Sequence, residues 1–423
     1  MKFPLYVLLF FLVTSATSGS ANALISSEAT LSGGYYQDSS ERSQTPVFFY
    51  WNLNHTAANG IETYFDLGAN NNLLENRWGF YLYQGYFTIP FSSGFETAPS
   101  KKSRIQLGRQ LLTEGFEMDI LDGVQVPFYW SENGGVNLHG GASYFMQQDR
   151  YDTHSQIYGA TAHQKLFGGM WKGGYLHKTK SFDTPAIPTA PSFNENYAHA
   201  SVMYSFERLP FHPFLLAKSQ WNLQSRTYDQ GYGELSFYPR DSVSFGATYS
   251  KRQPSALDAL DTLLVFRIFS ISPVFSTGGF ITFTPKEDLR FQANLRHSLY
   301  SSPAGAESGD EQELTATWLH GRATWIPGVA HVKSYGGEFW EPSLTFRFDF
   351  TNTASLRVQG AIADIKKING IQAKAYSGRA GMDFRPLPTL APRLSALVLG
   401  EAESNHIFKV DGRVIAFLSY LLY

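Results

Sequence analysis

The feature that most restricts this chain is a period of two in hydrophobicity, repeated along nearly its whole length. In "LRFQANLRHSLY", Leu289, Phe291, Ala293, Leu295 and Leu299 alternate with Arg290, Gln292, Asn294, Arg296 and Ser298. "SLTFRFDF" sets Leu344, Phe346, Phe348 and Phe350 against Ser343, Thr345, Arg347 and Asp349, and "SVSFGATYS" and "YAHASVMYSF" repeat the scheme. In a strand, two such sets point to opposite sides of the sheet. The runs extend over roughly 9–13 residues, near the ~9–11 that a tilted strand needs to cross a bilayer and well above the ~5–6 of an average globular strand. No run of 18 uncharged apolar residues appears downstream of the first segment, and the best competitor, "TLLVFRIFSI", is interrupted by Arg267. Helical spans are therefore removed. Backbone polar groups in lipid must all be paired, so a sheet that crosses a membrane has to close on itself.

Composition sharpens this. Charged residues make up 17% of the chain, and aromatics 16%, against ~25% charged in soluble domains. The absence of cysteine excludes disulfides, thiolate zinc sites, covalently attached c-type haem and cysteine nucleophiles. A net charge of −2 leaves no basic footprint for nucleic acid. At the N-terminus, Lys2, the apolar run from Phe3 to Val13 and Ala21-Asn22-Ala23 read as an export signal. Residues 1–23 are expected to be cleaved, leaving residues 24–423 as one outer-membrane β-barrel, and because strand-like sequence begins at "ATLSGGYYQ", within about ten residues of the cleavage site, an N-terminal plug domain is not expected.

We expect an all-β, transmembrane antiparallel barrel with an even number of strands, about 22 by direct count and roughly 16–22 once boundary error is allowed. Short turns are expected at 57–60, 239–241, 285–288, 327–330 and 351–354, with a longer one at 385–393. Variable loops are expected at the other end, at 147–154, 181–195 and 302–312, and the acidic residues Glu307, Asp310, Glu311 and Glu313 are expected in a solvated extracellular loop. "QPSALDALDTLL" (253–264) carries Pro254 as a first helical residue and reads as a short loop helix near 254–264.

Polar residues on inward faces are the informative ones for a channel. The alternation assigns Glu62, Asp66, Lys218, Gln220, Asn222, Arg290, Gln292, Asn294, Arg296, Arg347, Asp349, Arg357 and Gln359 to the lumen. Facing lipid, each Arg or Lys at mid-depth would cost ~2–4 kcal/mol. Arg290, Arg296, Arg347 and Arg357 would form a strip that biases permeation toward anions. In "RIQLGRQLLTEGFEMDILDGVQVPFYW" (104–130), Arg109 and Asp122 stand where apolar residues are due, each beside a glycine. Around a turn near 115–116 the two fall opposite one another. We expect a cross-strand ion pair there, a structural clamp at or just inside the rim, with 111–121 as an inward or capping loop. The chain ends "RVIAFLSYLLY", and Phe417, Leu421 and Tyr423 resemble the C-terminal assembly signal of bacterial outer-membrane barrels.

Two patches resemble outer-membrane porins of a group that includes the alginate-export family. They are "RIQLGRQ…ILDGVQV" and "WLHGRATWIPGVAHVKSYGGEFW" (318–340), about 50 residues together, and the motifs are structural. The resemblance implies an 18-strand-like barrel, a strand–Pro turn–strand unit in the second patch, and passive transport. It does not imply alginate, because the lumenal residues are mixed in sign.

Three functions remain open. A porin-like channel for small hydrophilic solutes in the bacterial outer membrane is favoured. A second is a barrel sleeve that holds a partner such as a multihaem cytochrome. A third is a barrel hydrolase: the eleven histidines are dispersed, with no HExxH and no GxSxG, and His297 falls on an apolar face. The expected surroundings are outer-membrane lipid and lipopolysaccharide, the barrel-assembly machinery, and either a homo-oligomer or a periplasmic cytochrome partner. No cofactor and no metal are implied.

Overall fold

The computed structural model describes residues 24–37, 43–73, 77–91, 102–144, 155–180, 193–252, 274–302, 305–334, 337–366, 372–386, 393–404 and 411–422. The export signal at 1–23, the loop helix at 254–264, the loop at 147–154 and Tyr423 lie outside these. The described residues form a single antiparallel sheet in which each strand pairs with its chain neighbours. Leu24–Gln37 pairs with Asp411–Leu422 to close the ring. A two-residue ladder, Ser43–Gln44, extends the first hairpin. The barrel thus has 22 strands, as the direct count expects, and not the 18 that the porin resemblance implies. Twenty-two strands at ~4.8 Å spacing and ~40° tilt enclose a ring of roughly 20 Å radius.

Directly opposed residues share a face, so the ladders carry one orientation around the ring. Outside lie Leu138, Trp171, Phe245, Leu295, Leu344, Val398 and Leu418, all exposed large hydrophobics. The opposite face carries the polar set. Only the apolar face can meet lipid, so the polar one faces inward. Outward aromatics gather in two girdles. Near the tight turns stand Trp130, Trp171, Trp318 and the Trp325–Phe346 pair, whose ring centroids are 4.3 Å apart. Toward the other end stand Trp221 against Tyr228 and Tyr249 against Phe275. Phe275 and Phe283 are eight residues apart on Val274–Lys286, roughly 20 Å of height in a tilted strand, close to the ~25 Å apolar band of such barrels.

Two connections differ from expectation. Residues 327–330 make no turn: the chain reverses at Gly321, which has φ +59°, and Arg322, leaving Pro327 inside the strand Ala323–Ser334. The ladder passes from Thr315↔Gly328 directly to Trp318↔Trp325, because proline has no N–H to donate on that side. The other edge of Pro327 pairs with Leu344. The acidic stretch is likewise not a loop, since the strand Gly305–His320 runs through it. Cross-strand partners hold it: Glu311 meets Arg296, Glu313 accepts from the Asn294 amide at 3.0 Å, and Asp310 meets His297 at 2.7 Å. His297 and Asp310 are outward, whereas Glu311 and Glu313 are inward.

Leu344→Arg, on the lipid face, is expected to destabilise the folded barrel by ~2–4 kcal/mol in vesicle urea titrations. Thr345→Arg, one residue on and facing inward, should stay within about 1 kcal/mol of the parent. Equal effects would contradict the assigned faces.

Candidate functional site

One hairpin leaves the wall. Ser103–Glu114 pairs with Arg77–Phe91 only as far as Gly85↔Arg109, and beyond that point residues 110–114 pair only with the returning strand Glu117–Ser131. The departure lies on a row of glycines in register across three strands, Gly108, Gly123 and Gly141. Gly108 has φ +126°, and a Cβ there would strike the Gly85 carbonyl oxygen. A Cβ on Gly123 or Gly141 would strike the backbone of the strand alongside. With no side chains on this line, three strands approach closely enough to bend together.

Peeling away strips strand Arg77–Phe91 of a partner, and Arg109 repairs this. Its Nε and Nη2 donate to Asp122 Oδ1 and Oδ2, both at 2.7 Å, and its Nη1 donates to the Leu82 carbonyl at 2.9 Å. The fork geometry of guanidinium against carboxylate is met in full. Arg109 is 8% exposed and Asp122 14%. The two face one another with no register shift at the adjoining glycines, so the bend is a kink and not a reversal of phase.

The tip then crosses the inner wall. Glu114 Oε1 accepts from Asn137 Nδ2 at 2.9 Å, and its Oε2 accepts from Thr161 Oγ1 at 2.6 Å. A Cβ built on Gly115 would lie 3.0 Å from His199 Cβ. The Phe116 N–H donates to Gln220 Oε1 at 3.2 Å. Asn137, Thr161, Gly174, His199 and Gln220 are one register row over five consecutive strands, so the tip spans roughly 20 Å of wall. Beneath it, Leu112 and Leu121 pack with Ile157, Leu176 and Tyr197, all at most 2% exposed. Asp119 and Lys178 form a buried ion pair at 2.8 Å, and the Tyr197 hydroxyl donates to Glu195 at 2.5 Å. The other side of the hairpin turns Leu111 to the open interior.

All thirteen residues assigned to the lumen lie on the inward face, in different surroundings. Gln220 is fully buried under the hairpin tip and lines no open space. Asn222 caps a turn, accepting from the Gln224 and Ser225 N–H groups, and Lys218 is exposed. Glu62 and Asp66 sit half-buried opposite Thr88 and Gln84. Gln292 donates to Asn294 at 3.4 Å, and Arg290 lies opposite Thr317. Arg347 pairs with Asp349 at 2.9 Å and stands opposite Arg357. Gln359 adjoins Arg379, which shares Glu401 with Arg413, each at 2.7 Å. Phe417 and Leu421 face inward, opposite Ser32 and Glu28; the lipid-facing residues of the last strand are Val414, Ala416, Leu418 and Tyr420. Glu114, Asn137, Thr161 and His199 had no visible signal in the sequence, because only the fold brings them together.

No protein-family model matches the chain, and no curated protein does. Among solved structures the chain is similar to OpdO of Pseudomonas aeruginosa, with a TM-score of 0.50 at 7% identity over 95% of this chain and 97% of that one. It is also similar to OpdK of the same organism, solved with vanillate, with a TM-score of 0.48 at 9% identity over 94% and 98%. The likeness is one of fold.

Arg109→Ala leaves Asp122 buried without its cation, and breaking a buried pair in this way costs ~3–5 kcal/mol. Amides 110–121 are then expected to lose at least ~100-fold of their hydrogen-exchange protection while the other strands keep theirs. Asp122→Ala should do the same, and the double variant should add little. Unchanged protection would show that the pair does not hold the hairpin.

Proposed function

We propose that this protein is a channel of the bacterial outer membrane, exported with loss of residues 1–23, through which small hydrophilic solutes diffuse. The observation that carries this reading is the hairpin folded across a polar inner wall. A ring of roughly 20 Å radius is too wide to discriminate among small solutes, and the hairpin narrows it with a fixed element. The tip already occupies the inner wall of five strands, which favours an aqueous path over a sleeve around a second protein. Thr161 and His199, a hydroxyl and an imidazole 3.2 Å apart, are buried beneath the tip with Thr161 bonded to Glu114, and the His177–Thr179 pair at 3.0 Å lies on the outward face of its strand, which supports transport over hydrolysis. Kinship with the alginate-export group rests on the two strand motifs alone.

Charge selection follows from the pairing of the arginines. Glu311 and Asp349 neutralise much of the field of Arg296 and Arg347, so within this strip an anion bias rests on Arg290 and Arg357, beside the Arg379 and Arg413 pair that shares Glu401, and is modest.

Purified protein in planar bilayers is expected to give discrete conductance steps with a weak anion preference in reversal-potential measurements. Arg290→Glu with Arg357→Glu should turn that preference toward cations. Arg109→Ala should give larger or noisier steps. Absence of conductance from the folded barrel would overturn the channel reading, and cation preference in the parent would overturn the bias.

A further inference from the structure

The inner wall carries a second constructed feature, remote from the tip of the hairpin. Along Arg77–Phe91 the register passes from Asp66↔Gln84 to Leu67↔Leu82, so Tyr83 is an extra residue in a β-bulge. Bulges re-aim side chains and gather beside binding sites. This one turns Tyr83 inward, over Gly68, where a Cβ would lie 2.5 Å from the tyrosine ring. The missing side chain is the floor on which the ring rests.

Tyr83 thereby completes a lane. Its ring lies 6.2 Å from Tyr50 and 6.1 Å from Tyr81, with interplanar angles of 24° and 19°. Phe48 extends the line at 6.3 Å and 16° from Tyr50. Tyr50 and Tyr81 both stand opposite Gly68 in the ladders, and Tyr50 is 39% exposed. A parallel row of Asn52, Asp66 and Gln84, continued by Glu28, runs two residues along from Tyr50 and Gly68 and one beyond the bulged Tyr83. That row offers amide donors and carboxylate or amide acceptors, and no cation.

We propose that this lane is a subsite for neutral sugars. A pyranose presents C–H groups on its faces and hydroxyls at its edges. Electron-rich ring faces take the former, and a row that both donates and accepts takes the latter. Asp66 and Glu28 disfavour anions. Rings can also hold a cation, but a cation is enclosed by rings set at steep angles, whereas these planes stay within 24° of parallel from one ring to the next. The subsite rests on the channel reading for its role in transport, and on its own geometry for binding.

The test uses the full-length barrel twice, in detergent for calorimetric titration with maltotriose and in planar bilayers for current block by the same sugar. The expected result is saturable binding and matching block. Tyr50→Ala and Tyr83→Ala should each raise the dissociation constant about tenfold. Tyr83→Phe should keep it within about threefold, since the ring face remains. Tyr50 sits on an uninterrupted ladder, so its variant reads the ring without disturbing the bulge. Maltotriose binding without conductance would support the subsite while removing the channel. An open channel that binds no maltotriose, binding unaffected by both alanine variants, or tighter binding of choline than of maltotriose would each overturn the proposal.

Discussion

In the core of a bilayer no backbone N–H or C=O can turn to water for a partner. That constraint closes the ring between Leu24–Gln37 and Asp411–Leu422, and it makes any departure from the wall expensive. The departing hairpin strips its neighbouring strand of ladder bonds, and the Leu82 carbonyl at the point of separation is bonded by the Arg109 guanidinium. Asp122 in turn balances the charge that this repair brings into the wall. The ion pair is a consequence of where the ladder stops. Removing either partner exposes a buried charge as well as loosening the strand beside it.

The same departure gives the molecule its one compact apolar cluster among the described residues, which lies between the hairpin and the inner wall and not between two sheets. Elsewhere the strands meet lipid on one side and a polar interior on the other, and ladder bonds with cross-strand pairs hold them in place. The hairpin is therefore anchored twice, by the clamp at its root and by Glu114, Phe116 and Asp119 at its tip. An element fixed at both ends acts as a rigid constriction and not as a loose plug.

Much of this was legible in the sequence, because a period of two is a direct statement of which side each residue faces. It placed Arg290, Gln292, Asn294, Arg296, Arg347 and Asp349 on the inner face, and the spacing about residue 115 brought Arg109 opposite Asp122. What alternation does not encode is the third dimension of the sheet. The line Gly108–Gly123–Gly141 becomes a bend only once the register is known, so Gln220 read as lumenal although the tip covers it. Pro327 was read as a turn because proline punctuates most chains, yet a single missing N–H is tolerated within one ladder. The acidic run at 307–313 read as a loop because its strand partners, Arg296 and His297, lie beyond the preceding turn. Phe417 and Leu421 alternate as expected, but the last hairpin is apolar on both faces, so alternation could not choose between them.

The central claim is that the hairpin rests inside the barrel and sets the width of its path. The chain contains no cysteine, and a Cβ on Gly115, whose φ is +62°, would lie 3.0 Å from that of His199, about 0.5 Å short of the ~3.5–4.5 Å found in disulfides, so the turn must shift by that much to form the bond. The most direct measurement is therefore single-channel conductance of the Gly115→Cys/His199→Cys protein before and after mild oxidation. The expected result is a cross-link that forms in the folded barrel and leaves the conductance unchanged. Failure of the cross-link to form, or a sharp fall in conductance once it has formed, would place the hairpin elsewhere in the working protein and contradict the claim.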